Sequence, residues 1–204
     1  MLAGLREACP VPAPRPYAAT AWAFVVGTIL VRGSTATLAN EIGAVLLEHH
    51  GSIAAVAALP SASLEGLFAR LPHAAAKSRS VVEAARHLAA YHDGHVPIDV
   101  DDLARVPGLG RTGAAAVLAE HYGRPAIAAT REVRRVLARW GWCREEGVAQ
   151  AEGAVARRLP SSEWIDFVGR VRAFAVDPCR RGVPVCSACP FGEGCPRRGV
   201  GEQR

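Results

Sequence analysis

Four cysteines near the C-terminal end of the sequence constrain this chain more than any other feature. They follow the spacing Cys179-x6-Cys186-x2-Cys189-x5-Cys195 and lie within the last 26 residues. Because thiolate ligands select zinc or iron–sulfur clusters over hard cations, so dense an array predicts a metal centre. Prolines shape the loops between these cysteines: Pro178, Pro184, Pro190 and Pro196. The alternative, two disulfides, would require an oxidising compartment.

The spacing of the four cysteines also bears on which metal they hold. A structural zinc site takes four cysteines as well, but usually as two short C-x2-4-C pairs. Only Cys186-x2-Cys189 has that form. The 6, 2, 5 spacing therefore favours a cluster of four irons and four sulfides, a [4Fe-4S] cluster.

Length and charge set the broad class. With 204 residues, half of them hydrophobic, the chain can bury a real core as one large domain or two small ones. The formal charge is +5, with 24 lysines and arginines against 19 acids, so a polyanion is a plausible partner. Lys77 is the sole lysine, which leaves almost no amines to serve as nucleophiles.

An apolar run at 18–31 resembles a membrane segment at first sight. It is only 14 residues long, ends before Arg32 and follows a proline-rich lead, so it predicts a buried helix instead. We therefore expect no membrane partner. The sequence carries no export signal, which predicts a reducing cytoplasm, where Cys9 and Cys143 stay thiols.

Helical periodicity dominates the rest of the chain and predicts an all-α fold without an internal repeat. The first 17 residues contain four prolines and predict an extended arm. An apolar stripe from Leu38 to Leu46 and another from Val81 to Ala89 predict two helices. Further helices are expected at 52–58, 63–70, from the Asp99 cap to Arg105, and at 111–122, 131–140, 145–159 and 162–175.

A glycine-rich segment between two of these helices, Val106 to Gly113, suits a phosphate. Gly108 and Gly110 remove side chains that would keep a phosphodiester from the backbone N–H groups, and the next helix presents its positive end. A plain helix–turn–helix corner would use the same glycines for tightness. The candidate DNA contacts of this segment are Pro107, Gly108, Leu109, Gly110, Arg111 and Gly113.

At this point several motifs together resemble one family. The hairpin from Leu103 to Gly113, the preceding His95-Val96-Pro97, Gly-Arg-Pro-Ala-Ile at 123–127 and the cysteine spacing occur in this order. Together they resemble the helix-hairpin-helix (HhH-GPD) DNA glycosylases of the endonuclease III and adenine glycosylase group. The resemblance runs from about residue 17 to the last of the four cysteines.

The resemblance implies a two-lobed all-helical fold that binds double-stranded DNA across a cleft. It places a six-helix barrel with the hairpin at 22–130 and a [4Fe-4S] cluster lobe at 131–204, with the arm at 1–21 packed on the cluster lobe. The four array cysteines would be the cluster ligands. We expect such a protein to act as a monomer on the DNA of the nucleoid.

The catalytic positions of the family depart from its pattern. Thr130 stands where the family has its catalytic aspartate, and Thr112 where strand-cutting members have a lysine. A hydroxyl supplies no negative charge, and loss of such a group costs on the order of 10² to 10⁴ in rate. Glu132 is the nearest carboxylate in the sequence, two residues along a helix from the expected position.

Basic residues outside the hairpin match places where the family touches DNA. Arg32 and Ser34 lie in the loop that relatives insert into the base stack, Lys77 begins a later helix, and Arg180 and Arg181 lie between the first two array cysteines. Arg32 can act as a wedge, contact a phosphate or stay solvated. The other contacts would add affinity that depends on salt and not on sequence.

Three functions remain open on the sequence. The first is a base-excision-repair glycosylase that recognises damaged or mismatched bases in duplex DNA, monofunctional if active. The second is a catalytically silent iron–sulfur DNA-binding protein, a regulator, lesion marker or redox-sensitive clamp. The third is a zinc-stabilised helical protein unrelated to DNA.

Overall fold

The structure of the protein is a computed structural model that describes residues 2–10, 19–144 and 147–201. Within these ranges every regular element is helical and no strand is present, which confirms the predicted all-α class. Contacts divide the chain into two compact units. We call Pro14–Tyr122 the hairpin unit, and Met1–Ala13 with Gly123–Arg204 the cysteine unit.

The helices follow one another along the described residues with few irregular stretches. They are α1 Leu2–Ala8, α2 Ala21–Leu30, α3 Ala36–His49, α4 Ile53–Ala57, α5 Ala74–Tyr91, α6 Val100–Arg105, α7 Gly110–Ala116, α8 Arg131–Arg139, α9 Val148–Ala156 and α10 Trp164–Val176. A π-helical turn, Val117–His121, continues α7. None of the helices in the described ranges has the length and apolarity needed to cross a bilayer.

Helix α2 forms the centre of the hairpin unit. Every residue from Trp22 to Leu30 is buried, and α3, α5 and α7 pack against it. The Thr20 hydroxyl begins the helix by accepting a hydrogen bond from the backbone N–H of Ala23 at 3.1 Å. Burial on all sides explains why the apolar run looks like a membrane segment, and confirms its interpretation as a core helix.

One predicted helix of this unit is wrong. Residues 61–70 form successive turns instead of a helix, although Leu64 and Phe68 are buried. The N–H of Phe68 bonds the carbonyl of Leu64, but neighbouring N–H groups reach only three residues back. The segment is short and confined between Pro60 and Pro72. Its few helical hydrogen bonds would not offset the entropy lost when the first helical turn forms.

The N-terminal segment also differs from its prediction. Residues 2–8 form α1 instead of an extended arm, and α1 packs on α10. Leu5 is fully buried there, and the Arg6 guanidinium donates a hydrogen bond to the Asp166 carboxylate at 3.0 Å. Tertiary contact stabilises a helix that would be too short to persist alone. The prolines at 12, 14 and 16 lie outside the described residues.

Aromatic side chains fill the core of the cysteine unit between α8, α10 and the C-terminal loops. The Trp140 ring, 6% exposed, lies 5.6 Å from the ring centroids of both Phe174 and Phe191. The Trp142 ring stacks on Phe167 at 5.7 Å. These contacts give Trp140 a structural role, so it is not a surface platform for an extruded base.

Candidate functional site

The glycine-rich segment forms a tight hairpin between α6 and α7. Helix α6 begins at Asp99, whose carboxylate accepts hydrogen bonds from the N–H groups of Asp101 and Asp102 at 2.8 and 3.1 Å, as the sequence predicts. These backbone hydrogen bonds lower the pKa of Asp99 because they favour its charged form, and the bond from Asp102 has the larger effect.

Both glycines of the turn have left-handed backbones. Gly108 has φ +82° and Gly110 φ +58°. A Cβ atom on Gly108 would lie 3.1 Å from side-chain atoms of Ile29 and Ser80, whereas one on Gly110 would meet no atom within 4 Å. Gly108 is therefore required for packing as well as conformation, and Gly110 leaves the backbone open to an approaching ligand.

Apolar side chains anchor the hairpin in the core. Leu103 and Leu109 are fully buried and Val106 is 1% exposed. Gly113 is buried too, and a Cβ atom there would lie 3.3 Å from the Thr28 side chain. The absence of a side chain at Gly113 thus allows close helix packing, while Pro107 is half-buried and Arg111 is exposed beside the turn.

Arg32 connects the loop after α2 to the hairpin. Its guanidinium Nη2 donates a hydrogen bond to the carbonyl oxygen of Leu109 at 3.0 Å. Arg32 itself is exposed, so the remaining N–H donors are available to an anion. Ser34, in the same loop, is half-buried and its backbone N–H bonds the Val31 carbonyl.

Lys77 is placed differently from the other candidate DNA contacts. It is 5% exposed, and its ammonium donates a hydrogen bond to the carbonyl of Leu30 at 2.6 Å. This carbonyl belongs to the last residue of α2, so Lys77 satisfies a helix terminus. Burial lowers the pKa of Lys77. The Lys77 side chain therefore stabilises the fold and is too buried to contact a DNA phosphate, contrary to the prediction from the sequence.

The residues at the family's catalytic positions have well-defined local environments. Thr112 lies half-buried in the first turn of α7. Thr130 precedes α8, and its hydroxyl accepts a hydrogen bond from the backbone N–H of Val133 at 3.4 Å. Glu132 is exposed in the first turn of α8. The structure thus gives Thr130 the role of a helix cap.

The four array cysteines surround one small cavity. Cys179, Cys186, Cys189 and Cys195 all line it, its volume is about 20 Å³, and all six cysteines of the chain are free. Burial raises the pKa of the Cys189 thiol, and the charges of the other three array cysteines raise it further. Among the described residues, no three histidine, cysteine or acidic side chains are arranged to hold a single metal ion.

Two buried arginines of α8 hold the first array cysteine. The sequence places Arg135 in a basic group with Arg131 and Arg134, for contact with DNA or with solvent, and does not single out Arg139. The Arg139 guanidinium donates to the carbonyl of Cys179 at 3.2 Å, to its Sγ at 3.4 Å and to the carbonyl of Arg180 at 2.8 Å. Arg135 donates to the carbonyls of Ala175 and Cys179 at 2.7 and 3.1 Å. Both arginines are 7% exposed.

The sequence pattern of α8 carries a signal that these arginines are buried and paired. They stand four residues apart, on the face of α8 that also carries buried Val136. Charged side chains on a buried helix face need partners, because an unpaired buried charge is costly. The carbonyls at the C-terminal end of α10 and in the cysteine loop are those partners.

The loop between the first two array cysteines presents its basic residues outward. Arg180 and Arg181 are exposed, and the Arg180 Nε donates to the carbonyl of Val183 at 2.9 Å. This bond fixes the loop conformation while leaving most of the guanidinium in solvent. A glycine is required nearby, since a Cβ atom on Gly192 would lie 2.8 Å from the carbonyl oxygen of Cys186.

Comparison with known sequences places the chain near one group of repair enzymes. No protein-family model matches it. It is 28% identical over 169 residues to Endonuclease III of Bacillus subtilis, covering 82% of this chain and 77% of that protein. It is 32% identical over 131 residues to Endonuclease III of Thermotoga maritima, covering 63% of this chain and 62% of that protein.

Solved structures agree with the sequence comparison. A trapped covalent intermediate of endonuclease III with DNA matches with a TM-score of 0.89 and 27% identity, covering 95% of this chain and 92% of that one. A non-covalent endonuclease III–DNA complex matches with the same TM-score. A thermostable thymine-DNA glycosylase, 20% identical with a TM-score of 0.78, shares the fold. Fold, hairpin and relatives agree: this chain is similar in sequence and in structure to the helix-hairpin-helix DNA glycosylases of the endonuclease III group.

Proposed function

We propose that this protein binds duplex DNA and acts in base-excision repair as a glycosylase that recognises damaged or mismatched bases. The hairpin carries the proposal. Its turn has an open backbone at Gly110, a buried anchor at Leu109, and an arginine at 32 held against it. Structures with a TM-score of 0.89 to this chain are those of endonuclease III with DNA.

The amine chemistry of the chain supports a monofunctional reaction, in which the base is released and the strand is left intact. The strand-cutting members that this chain resembles form the Schiff base at the sugar with a lysine amine. Thr112 offers a hydroxyl instead, and Lys77, the sole lysine of the sequence, is buried and bonded to Leu30. Strand cleavage through a lysine adduct is therefore not expected.

A catalytically silent DNA-binding protein is the second candidate, and the environment of Thr130 favours it. The hydroxyl caps α8, and an uncharged group cannot stabilise the positive charge that develops on the sugar as a base departs. Glu132 is exposed on the first turn of the same helix. If the protein is active, that carboxylate is a weak substitute for one at position 130.

An assay against a panel of lesions decides between the two. Protein purified without oxygen is incubated with duplexes that carry uracil, a G:T mismatch, 8-oxoguanine opposite A, an oxidised pyrimidine or an alkylated base. Alkali then reveals abasic sites. We expect alkali-dependent cleavage of at least one duplex, no cleavage without alkali and no adduct trapped by borohydride.

Each other outcome of the panel has a definite meaning. Tight, salt-sensitive binding to the duplexes without any product would favour the silent protein. Absence of duplex binding would contradict both candidates. The Arg111→Ala variant is the matched binding control. It should lower the affinity for all duplexes about equally. It should also reduce the slope of log affinity against log salt concentration by roughly 1, as loss of one phosphate contact does.

We propose that the four array cysteines hold a [4Fe-4S] cluster. They line one cavity, and the Arg139 guanidinium and the backbone N–H of Arg197 donate hydrogen bonds to the sulfurs of Cys179 and Cys195, both at 3.4 Å. N–H donors of this kind stabilise cluster thiolates. A single zinc ion needs four ligands around one point, whereas a cluster binds each cysteine at a different iron. Among the described residues no three such ligands are arranged for one ion, which supports the cluster over zinc.

When bound, a cluster would supply rigid cross-links between the C-terminal loops. The chain's own residues orient the exposed Arg180 and Arg181 within those loops. The Cys189→Ser variant tests the assignment. We expect loss of the visible absorbance of an iron–sulfur centre and of protein-bound iron. An unchanged spectrum, with one zinc bound per chain, would overturn the cluster in favour of zinc.

The remaining contacts and the setting complete the proposal. Arg32, Ser34, Arg180 and Arg181 would touch the sugar-phosphate backbone, each without reading a base. We propose that the protein works as a monomer on DNA in a reducing compartment, where the thiols stay available to iron. Light scattering of the purified protein with and without duplex measures the stoichiometry, and a dimer would contradict the monomer.

A further inference from the structure

We propose that the cysteine unit carries a second anion-binding site, separate from the hairpin, that takes a polyphosphate or phosphodiester group. The site is an open groove of about 550 Å³ at the start of α9. Three arginines from different parts of the sequence, Arg144, Arg157 and Arg198, border it together with Ala149 and Gln150. No carboxylate is among its described lining residues.

The three arginines make no polar contacts with other described residues. Across the described residues, the guanidiniums of Arg144, Arg157 and Arg198 form no hydrogen bond or ion pair, and all three residues are exposed. Buried or bonded arginines such as Arg139 and Arg170 in the same unit donate to carbonyls or carboxylates instead. Unpaired guanidiniums around one groove raise the local positive potential and can bind phosphate oxygens two at a time.

Helix α9 adds to this potential. It is nine residues long, its N-cap residue Gly147 provides no side-chain cap, and its first turn contains no acid. The first N–H groups of a helix have no partner within it and attract anions. Ala149 and Gln150, in this first turn, border the groove. Backbone donors and arginines therefore lie around the same space.

Two glycines allow the arginines to lie against the backbone. A Cβ atom on Gly153 would stand 3.1 Å from Nη1 of Arg157, and one on Gly141 would stand 3.3 Å from Nε of Arg198. A Cβ atom at either glycine would make the neighbouring guanidinium shift by a few tenths of an ångström.

The aromatic residue of the groove is already packed, which bears on the ligand. The residue is Trp142. The Phe167 ring stacks on it with centroids 5.7 Å apart, and the Arg158 guanidinium lies 4.6 Å from the centroid of the Trp142 ring. The ring is therefore not a platform for a nucleobase. The groove supplies charge without a stacking surface, which suits a phosphate group better than a base.

Calorimetric titration of the full-length, cluster-loaded protein with inorganic tripolyphosphate tests the site. We expect saturable binding that the Arg157→Gln/Arg198→Gln variant weakens about tenfold or more, as loss of charge-assisted hydrogen bonds requires. The charge-matched control is Arg70→Gln/Arg105→Gln, which removes two arginines from exposed ion pairs with Glu41 and Asp102. It should change affinity by less than about twofold. An equal loss in both variants, or no saturable binding, would overturn the proposal.

A variant that keeps every charge separates geometry from net charge. Gly153→Ala retains all the arginines, moves the Arg157 guanidinium by only a few tenths of an ångström, and favours the helix, so the unfolding midpoint should stay the same or rise. We expect nearly the same tripolyphosphate affinity as the wild type. A loss as large as that of the double arginine variant would contradict binding by the charges of the guanidiniums. The two glutamates that precede α9 in sequence, Glu145 and Glu146, lie outside the described residues. Their replacement by glutamine should leave binding equal or tighter, and weaker binding would contradict an anion site.

Competition identifies the source of the phosphate. If a single-stranded or duplex oligonucleotide displaces tripolyphosphate, the site takes a phosphodiester; if neither does, it takes a free polyphosphate. The Arg111→Ala variant should weaken duplex binding at the hairpin and leave tripolyphosphate binding unchanged. Loss of tripolyphosphate binding in this variant would mean that the hairpin, and not the groove, binds the anion. Failure of the wild-type protein to bind duplex would overturn the proposed function without affecting the groove.

Discussion

The hydroxyl of Thr130 accepts a hydrogen bond from the backbone N–H of Val133 at 3.4 Å, and this bond closes the first turn of α8. Aspartate caps helix N-termini about as well, because a carboxylate oxygen accepts the same bond. The start of α8 therefore tolerates an acid at the position where the family has its catalytic aspartate. The fold does not require the threonine.

Thr130→Asp should raise the rate of base release by on the order of 10² to 10⁴, because it places a negative charge at the position of the family's acid without loss of the cap. Abasic sites formed on the lesion panel measure the rate. Thr130→Asn caps equally and carries no charge, so it should leave the rate unchanged. Equal rates for the two variants would show that charge at this position is not what the chain lacks.

Gly108→Ala should destabilise the protein more than Gly110→Ala, although both glycines have positive φ. At Gly110 the cost is conformational strain alone, about 1–2 kcal/mol. At Gly108 the new methyl group would also crowd Ile29 and Ser80, which adds about 1–3 kcal/mol. Urea denaturation measures both free energies of unfolding. If both variants lose the same free energy of unfolding, the hairpin can move away from α2 to admit the new methyl group without cost.

Lys77→Met should destabilise the protein while leaving the salt dependence of DNA binding unchanged. Removal of the ammonium leaves the Leu30 carbonyl without its donor, at a cost of about 1–3 kcal/mol. Arg79→Met, on the exposed face of the same helix, is the control: its effect on stability should stay within about 0.5 kcal/mol. A reduced salt slope for Lys77→Met would restore it as a phosphate contact.

The buried Lys77 also predicts a dependence of stability on pH. Burial lowers its pKa in the folded protein, so the unfolded chain binds the proton more readily. The penalty is present at neutral pH and is relieved as the pH rises from the lowered value towards about 10.4, the ordinary pKa of lysine. The free energy of unfolding of the wild type, relative to Lys77→Met, should therefore increase over that range in urea titrations. A difference that stays flat or falls would contradict the shift.

Arg139→Met should weaken cluster retention and stability together. It removes the N–H donor to the Cys179 sulfur and leaves the Arg180 carbonyl without its donor, at a cost of about 1–3 kcal/mol, while Arg135 still donates to the Cys179 carbonyl. Visible absorbance and bound iron, followed during exposure to air, measure retention. Arg131→Met, exposed on the same helix, should behave as the wild type. Equal cluster lifetimes in the two variants would show that Arg139 does not protect the thiolate.

Features with strong local chemistry were predictable from the sequence. The Asp99 cap begins α6 as expected, and the run at 21–30 is a buried helix because apolar residues on every face leave it no exposed side. The glycines of the hairpin turn have the positive φ values that their position suggested. In each case neighbouring residues decide the outcome, so the sequence pattern carries the information.

Predictions failed where distant contacts decide. Helix α1 forms before the prolines because α10 covers Leu5. Lys77 was predicted to contact DNA, but its ammonium donates a hydrogen bond to the Leu30 carbonyl inside the hairpin unit. None of these partners is close in sequence, so periodicity and propensity could not reveal them.

The sequence by itself determined the helical class, the hairpin, the cysteine array and the threonines at positions 112 and 130, because each depends on residue type and short spacing. Only the tertiary structure decided what the polar residues do. It bonded Lys77 to the Leu30 carbonyl, buried Arg139 against Cys179 and left Arg157 unpaired beside a groove. The reason is physical: a charged or hydroxyl side chain takes its role from the partner that folding brings to it, and that partner can lie anywhere in the chain.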